Sequence, residues 1–500
     1  MAQKDTKTKQ PILPPLIRKS QESGLLSSYA VGENRMPETA VTEAVNWDFQ
    51  TIGPATTRAG ITQVGQTLSG NILGLHQLID TVNVPAIGTA LIAVNGTVAY
   101  YLSAGTWTSK RTGLTAGAKA RFADLLNITF MVNGVDATAT WDGNPSDSFV
   151  ITGSASGAPI GKYIEVFQNY VWIAGNPTYP DRVYYSTKPL PEITQTVTWS
   201  TDPVTGVQWQ DISPNDGQNI TALKKYRTAL LIFKQNRIYK LYGIGNIDQD
   251  PQFTVGTYSQ ESVVETKAGL FFHHSSGFYQ YNVYGIVQQI SIPVQGFVLA
   301  IPASAYTSVA GWLDPDGDHV NWSVGTITVE GVTYTNMVLR YRISTQVWTH
   351  RSYPANQFIC SGTYNNGTTL YNVVGDTAGH INGYNWGTTD NGVSIPYSLV
   401  HRWENIDGLI STRKTIDRIG FNHYKGASTN VNYQTESDNP QDWTRKIGQF
   451  GTYNTGFNSV GIRARKIRIR ISGQNSGAPI QYHGYELIAS MDELIIPVNN

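Results

Sequence analysis

The chain has 500 residues, with 36 Lys+Arg against 36 Asp+Glu, so no global field draws it to nucleic acid or an anionic membrane. Only 14% of residues are charged, while 48 Gly, 28 Tyr and 12 Trp accompany many Thr, Val and Asn, a composition of short strands joined by tight turns. The single cysteine, Cys360, excludes an internal disulfide framework and any multi-thiolate metal site, and it fits folding in a reducing compartment.

Residues 1–43 read as an extended N-terminal arm. They are polar, and Pro11, Pro14 and Pro15 favour an extended backbone that does not fold alone. The segment is either a disordered tail or an arm that docks on a neighbouring subunit through Ile12, Leu13, Leu16 and Ile17. It holds no apolar run of signal-peptide length, and no run anywhere approaches the roughly 18 to 20 residues of a membrane span. The expectation is a soluble chain, without a cleaved export signal and without membrane insertion.

"VNWDFQTIGPATTRAGITQVG", Val45 to Gly65, reads as a hairpin. Alternation puts Val45, Trp47 and Phe49 on one face and Asn46, Asp48 and Gln50 on the other, with a reversal at Gly53-Pro54. Arg58 reaches Asp48 across the hairpin in this reading, and Gly60 allows a close approach or a positive φ. The hairpin is expected to act as a clasp, through which the arm enters the following domain and pairs with its last repeat.

From Ile72 to Ile395 a unit of about 40 residues recurs: an apolar strand, a turn, an aromatic-rich strand, another turn and a polar strand. Asn95-Gly96, Asn133-Gly134, Gln168-Asn169, Gln235-Asn236 and Ser276-Gly277 mark equivalent turns. The period is that of a four-stranded blade, so residues 44–395 are read as a β-propeller of about seven blades, six to eight. The pattern breaks near Pro396, and residues 396–500 read as a C-terminal β-sandwich, which makes the whole chain all-β. Within it, "KIRIRI" sets Ile467, Ile469 and Ile471 against Lys466, Arg468 and Arg470. That basic row is either a solvated face paired with cross-strand acids or a contact for an acidic partner or for DNA phosphates in a channel.

Catalytic and metal signatures are not found. There is no GxSxG, P-loop, GxGxxG after a strand, or HExxH. His273-His274 point to opposite faces of a strand and cannot share one ion. Asp314, Asp316 and Asp318 resemble half of a calcium loop but run into a strand, which favours a Pro-Asp-Gly turn. "STDPVTGVQW", Ser200 to Trp209, is a weak match to the Asp box of sialidases, a structural turn. No cofactor is expected.

Several segments together resemble one family. "AVNWDFQTIGPATTRAGI", "DRVYYST", "NITALKKYRTALLIFKQNRIYKLYG" and "SVVETKAGLFFHHSSGFYQYN" look like the opening signature and successive blades of phage tail-hub propellers. "RKTIDRIGFNHYKG", "NPQDWTRKIG" and "RIRISGQNSGAPIQYHGYELI" are similar to the β-sandwich that closes such chains. The nearest in kind are the stabilisation, hub or nozzle proteins of short-tailed phages. The resemblance implies a structural virion protein, made in the host cytoplasm, with no active site. It implies a homo-oligomeric ring, commonly a hexamer, below the portal and adaptor, which extends the channel for double-stranded DNA and anchors fibres or spikes. The other readings are a carbohydrate-binding propeller acting in receptor recognition through loop tryptophans such as Trp172, Trp312 and Trp386, and a propeller glycosidase.

Overall fold

A computed structural model describes residues 16–19, 25, 39–49, 54–79, 89–189, 196–202, 204, 208–248, 254–355, 357–405, 413–424, 430–437, 445–449, 453–454 and 457–491. The chain divides into two compact units, one of residues 61–344 and 352–385, the other of residues 1–60, 345–351 and 386–500. The propeller domain drawn on the sequence, 44–395, is therefore too wide: the clasp hairpin belongs to the second unit.

The first unit is the β-propeller. Among its described residues, seven antiparallel blades follow one another along the chain, six of them sheets of their own, each beginning with one of the strands Ile72–Ile79, Arg121–Leu125, Tyr163–Phe167, Ile220–Tyr226, Val264–Thr266, Ala310–Leu313 and Phe358–Asn365. Most are four-stranded. The second blade keeps three strands, and its Trp141-bearing strand makes a bridge from Thr140 to Val150 where the fourth would lie. The sixth carries a long hairpin, His319–Val329 against Val332–Arg342.

Turn chemistry sets the hairpins. Asn95-Gly96, Asn133-Gly134, Gln235-Asn236 and Ser276-Gly277 lie between the second and third strands of their blades. Gln168-Asn169 does not: it joins the first and second strands of the third blade, Tyr163–Phe167 and Tyr170–Ala174, with both residues at positive φ, 51° and 62°. Any tight hairpin asks for the same φ values, so the turn signal identifies a hairpin without identifying which hairpin it is.

Neighbouring blades are held by separate apolar clusters. Ile92, Met131 and Trp141 lie between the first and second blades, Phe130, Ile164 and Val171 between the second and third, and Trp172, Leu223 and Ile232 between the third and fourth. Leu231, Phe233 and Phe272 continue the series, and Phe278 packs on Trp322 at 4.6 Å across the fifth and sixth blades. Each such side chain contributes about 1.5–3 kcal/mol on burial, and the two faces of every blade share the load. The ring closes where the Cys360 thiol of the seventh blade donates to the Ile72 carbonyl of the first at 3.3 Å.

The seventh blade takes its fourth strand from far upstream. Ile61–Gln63 pairs antiparallel with Ile381–Tyr384, with Tyr384 opposite Ile61, so the N-terminal segment closes the circle as its sequence suggested. Ile61 is 2% exposed and packs with Trp312, Phe358 and Val374.

The second unit is the β-sandwich. One sheet orders Val41–Val45, Ile395–His401, Ile467–Asn475, Asn430–Ser437 and Arg445–Gln449. The other centres on Lys414–Tyr424 and Gln481–Met491, with Phe457–Ala464 and the hairpin Trp47–Asp48/Ala55–Thr57. Phe421 stacks on Tyr433 at 3.6 Å between the sheets, and Trp47 presents edge contacts to Tyr397 at 5.6 Å and Tyr482 at 6.2 Å. Replacing Ile61 with Ala is expected to destabilise the chain by about 2–4 kcal/mol, read as a lower urea midpoint at unchanged m-value.

Candidate functional site

The segment that opens the propeller is organised around a buried guanidinium. Val45 and Trp47 do not share one continuous strand, because Asn46 stands between them at φ 62° and turns the chain from one sheet of the sandwich to the other. Asparagine tolerates this left-handed backbone better than most residues. Its amide is fully buried and donates to the Pro396 carbonyl at 2.6 Å.

In the hairpin, Trp47 lies opposite Thr57 and Asp48 opposite Thr56. That register sets Arg58 against Asn46, so the expected Arg58–Asp48 ion pair does not form. The Arg58 amide donates to the Asn46 carbonyl at 3.0 Å, and Nε donates to Asn46 Oδ1 at 2.8 Å. The two Nη groups make a bidentate pair with Asp390, at 2.8 and 2.6 Å, and Nη1 also donates to the Ala59 carbonyl at 2.9 Å. Asp48 is taken instead by Arg351, whose Nη2 donates to both carboxylate oxygens at 3.0 and 2.8 Å.

Gly60 is required by close approach and not by φ. A Cβ there would collide with the Thr389 backbone carbonyl, and Gly60 exchanges hydrogen bonds with the Gly387 carbonyl and the Trp386 amide, both at 2.9 Å. The clasp thus unites Asn46, Arg58 and Gly60 with Asp390, a residue that one sequence gives no means of pairing with Arg58. Its only local mark is the Asp-Asn-Gly turn in which it sits.

The arm docks on its own chain. Leu16–Lys19 pairs antiparallel with Gln481–Met491, Leu16 opposite Leu487 and Ile17 opposite Glu486, which extends the edge of that sheet. Ile12 and Leu13 lie outside the described residues. Leu25, which the sequence did not single out, is 1% exposed, and its amide donates to the Trp348 carbonyl at 3.0 Å.

The basic row is committed within the sandwich. Arg468 Nε donates to Glu436 at 2.6 Å, Arg470 lies 4.0 Å from Glu43, and Lys466 and Arg468 stand over Trp403 at 4.4 and 4.7 Å. Glu436 and Glu43 thus offset part of the row's charge at Arg468 and Arg470.

The remaining candidates are also internally satisfied. Arg340 and Asn321 hold Asp314, at 2.6 and 2.8 Å; Arg342 and Ser344 hold Asp318, at 2.7 Å each; His319 holds Asp316 at 2.6 Å. Although Asp314, Asp316 and His319 offer ligand atoms within 4.8 Å of one another, Asp314 is occupied by the Arg340 guanidinium. Trp172 is fully buried and Trp312 is 4% exposed, so both are blade core, while Trp386 is half-buried. Burial pushes the Cys360 thiol up to about 12 and leaves it unreactive.

The propeller axis holds a cavity of about 400 Å³ lined by His76, Lys224, Glu265, Leu313 and Thr363 among others. Its charges neutralise one another. Lys224 lies 3.8 Å from Glu165 and 3.5 Å from Glu265, on the first strands of the blades to either side. Glu261 faces Arg121 at 2.7 Å and Lys119 at 3.7 Å; desolvation opposes its charge, but the two cations outweigh it and hold the carboxyl at about 2. Asp124 pairs with His76 at 2.7 Å. This is a small ion-paired cavity.

No protein-family model matches the chain, and no curated protein matches it in sequence. Solved structures match at low identity. YCF48 from Cyanidioschyzon merolae aligns over 65% of this chain and 98% of its own, at 10% identity and a TM-score of 0.40. YCF48 bound to D1 peptide aligns over 68% and 97%, at 12% identity and 0.39. The extracellular domain of the hybrid two-component system protein BT4673 from B. thetaiotaomicron aligns over 75% and 45%, at 10% identity and 0.41.

Two outcomes follow. Arg58→Met leaves the partly buried Asp390 carboxylate without its fork and is expected to cost about 3 kcal/mol, whereas Arg58→Met with Asp390→Leu recovers most of the loss; thermal melts of the cycle measure the coupling. His273 is buried among Phe278 and Tyr306, and burial first, then the neighbouring His274, pushes its pKa down to about 3. It is neutral when folded but takes a proton near pH 6.5 when unfolded, so its contribution is complete above about pH 6.5 and falls as pH drops toward 3. His273→Phe should therefore reduce the stability loss between about pH 7 and pH 5 by about 1–2 kcal/mol, read from urea melts at each pH.

Proposed function

We propose that this chain is a structural propeller that binds other proteins, and specifically a hub or nozzle component in the tail of a short-tailed phage, assembling as a ring of identical subunits. The observation that carries the structural reading is how thoroughly the charged constellations are paired off. The basic row, the aspartate loop and the axial charges all meet partners within the chain. A site for chemistry needs groups held ready for a substrate, and these are held for one another.

The phage reading rests on the order of the family-like segments along the chain. The architecture is compatible with it: a disulfide-free propeller is a rigid platform, and its loops can meet different neighbours. In this reading the DNA passes through the bore enclosed by the ring of subunits, and not through the small ion-paired cavity at the axis of each propeller. The portal and adaptor contact the ring on one side, with fibres or spikes on its outer surface.

Mass photometry and electron microscopy of the purified chain, alone and mixed with tail proteins from the same genome, test this. Closed rings of identical copies are expected, with six the commonest number in the resembling family. A chain that stays monomeric in every mixture contradicts the proposal.

A further inference from the structure

Where the third and fourth blades meet, the propeller carries a second cleft, of about 440 Å³. Its wall is rigid. The Arg121 guanidinium stands over the Tyr163 ring at 4.8 Å, and Gly175, at φ +71°, lets the next turn close onto that ring, since a Cβ there would meet it at 2.8 Å. Another part of the lining is Tyr258, whose ring is held by Tyr306 at 5.3 Å and by His274 at 6.0 Å.

The polar groups of this cleft differ from the paired charges elsewhere. The side chains of Lys162, Asn219, Gln235 and Tyr258 make no hydrogen bond or ion pair among the described residues. No acidic residue lines the cleft, and Asp181 and Asp216 of the same two blades are both consumed by the buried Lys234 at 2.8 Å. The site therefore offers two carboxamides, a phenol ring, a lone ammonium and a volume in the range that small ligands fill, about 300–1,000 Å³.

Each of these groups has a chemical counterpart. Carboxamides pair a donor with an acceptor and so match adjacent hydroxyls. An aromatic face covers the C–H surface of a pyranose ring and leaves its edge polar. An ammonium with no acid beside it takes a carboxylate. We propose that this cleft binds an acidic saccharide, a sugar ring bearing a carboxylate, with Lys162 on the carboxylate, Asn219 and Gln235 on hydroxyls and Tyr258 on the ring face. The cleft, and not the buried Trp172 and Trp312, is then the place where this propeller meets a glycan.

Calorimetry and ligand-observed NMR with methyl β-glucuronide, methyl β-glucoside and acetate test it on the full chain. Saturable binding of the glucuronide is expected, with the glucoside about tenfold weaker for want of the charge-assisted contact and acetate weaker still. Lys162→Met should bring the glucuronide to the level of the glucoside at an unchanged melting temperature, because its side chain is exposed, and Tyr258→Ala, which also removes the ring contacts to Tyr306 and His274, should abolish both at temperatures where the variant remains folded. The proposal is overturned if the glucuronide fails to saturate, binds no better than acetate, or binds unchanged to both variants.

Discussion

The Arg58 guanidinium is the contact on which the chain's path depends. It is fully buried and can be stable there only because Asp390 meets it bidentately and Asn46 takes its Nε. Those two partners come from segments that lie far apart in sequence, so the ion pair fixes a long-range register. A slip of one residue in the hairpin would leave a buried cation against an amide edge and a carboxylate without its fork. Three residues past Arg58 the chain enters Ile61–Gln63 and becomes the outer strand of the last blade. Within the sandwich unit the same group of residues also holds Gly60 beside Trp386 and Gly387.

The propeller itself follows a simpler rule. Each blade is apolar on both faces and is stable only between neighbours, so the circle must close, and closure with a strand from the N-terminal side ties the ends of the repeat together. Charge follows the same logic on a smaller scale. Lys234 is fully buried between Asp181 and Asp216, and Lys224 lies between glutamates of two other blades. Such pairs exact a desolvation penalty but admit one arrangement of blades.

What the sequence made legible is local. Period, turn chemistry and alternation are properties of adjacent residues, and they suffice for the all-β class, the blade count and the sandwich. The histidine pair was also readable, because a strand's alternation sends adjacent side chains to opposite faces; the aspartate loop was readable only as a turn, and the Arg340 and Asn321 that hold Asp314 come from strands that it does not name. What stayed hidden lies at long range. Nothing near Arg58 distinguishes Asp390 from Asp48, and only the turn at Asn46 decides between them. The acids that compensate the basic row, Glu436 and Glu43, lie on strands whose pairing one chain does not declare. The lining of the glycan-sized cleft comes from turns of separate blades, where no periodicity marks a side chain as free.

Hydrogen exchange on the intact chain and on Arg58→Met tests the central claim most directly. If the guanidinium fixes the paths of these two segments, the variant loses amide protection together in residues 54–63 and in residues 381–390, while the first strands of the second to fifth blades keep theirs. Protection lost only beside Arg58, with Ile61–Gln63 and Ile381–Tyr384 as protected as before, would contradict the account.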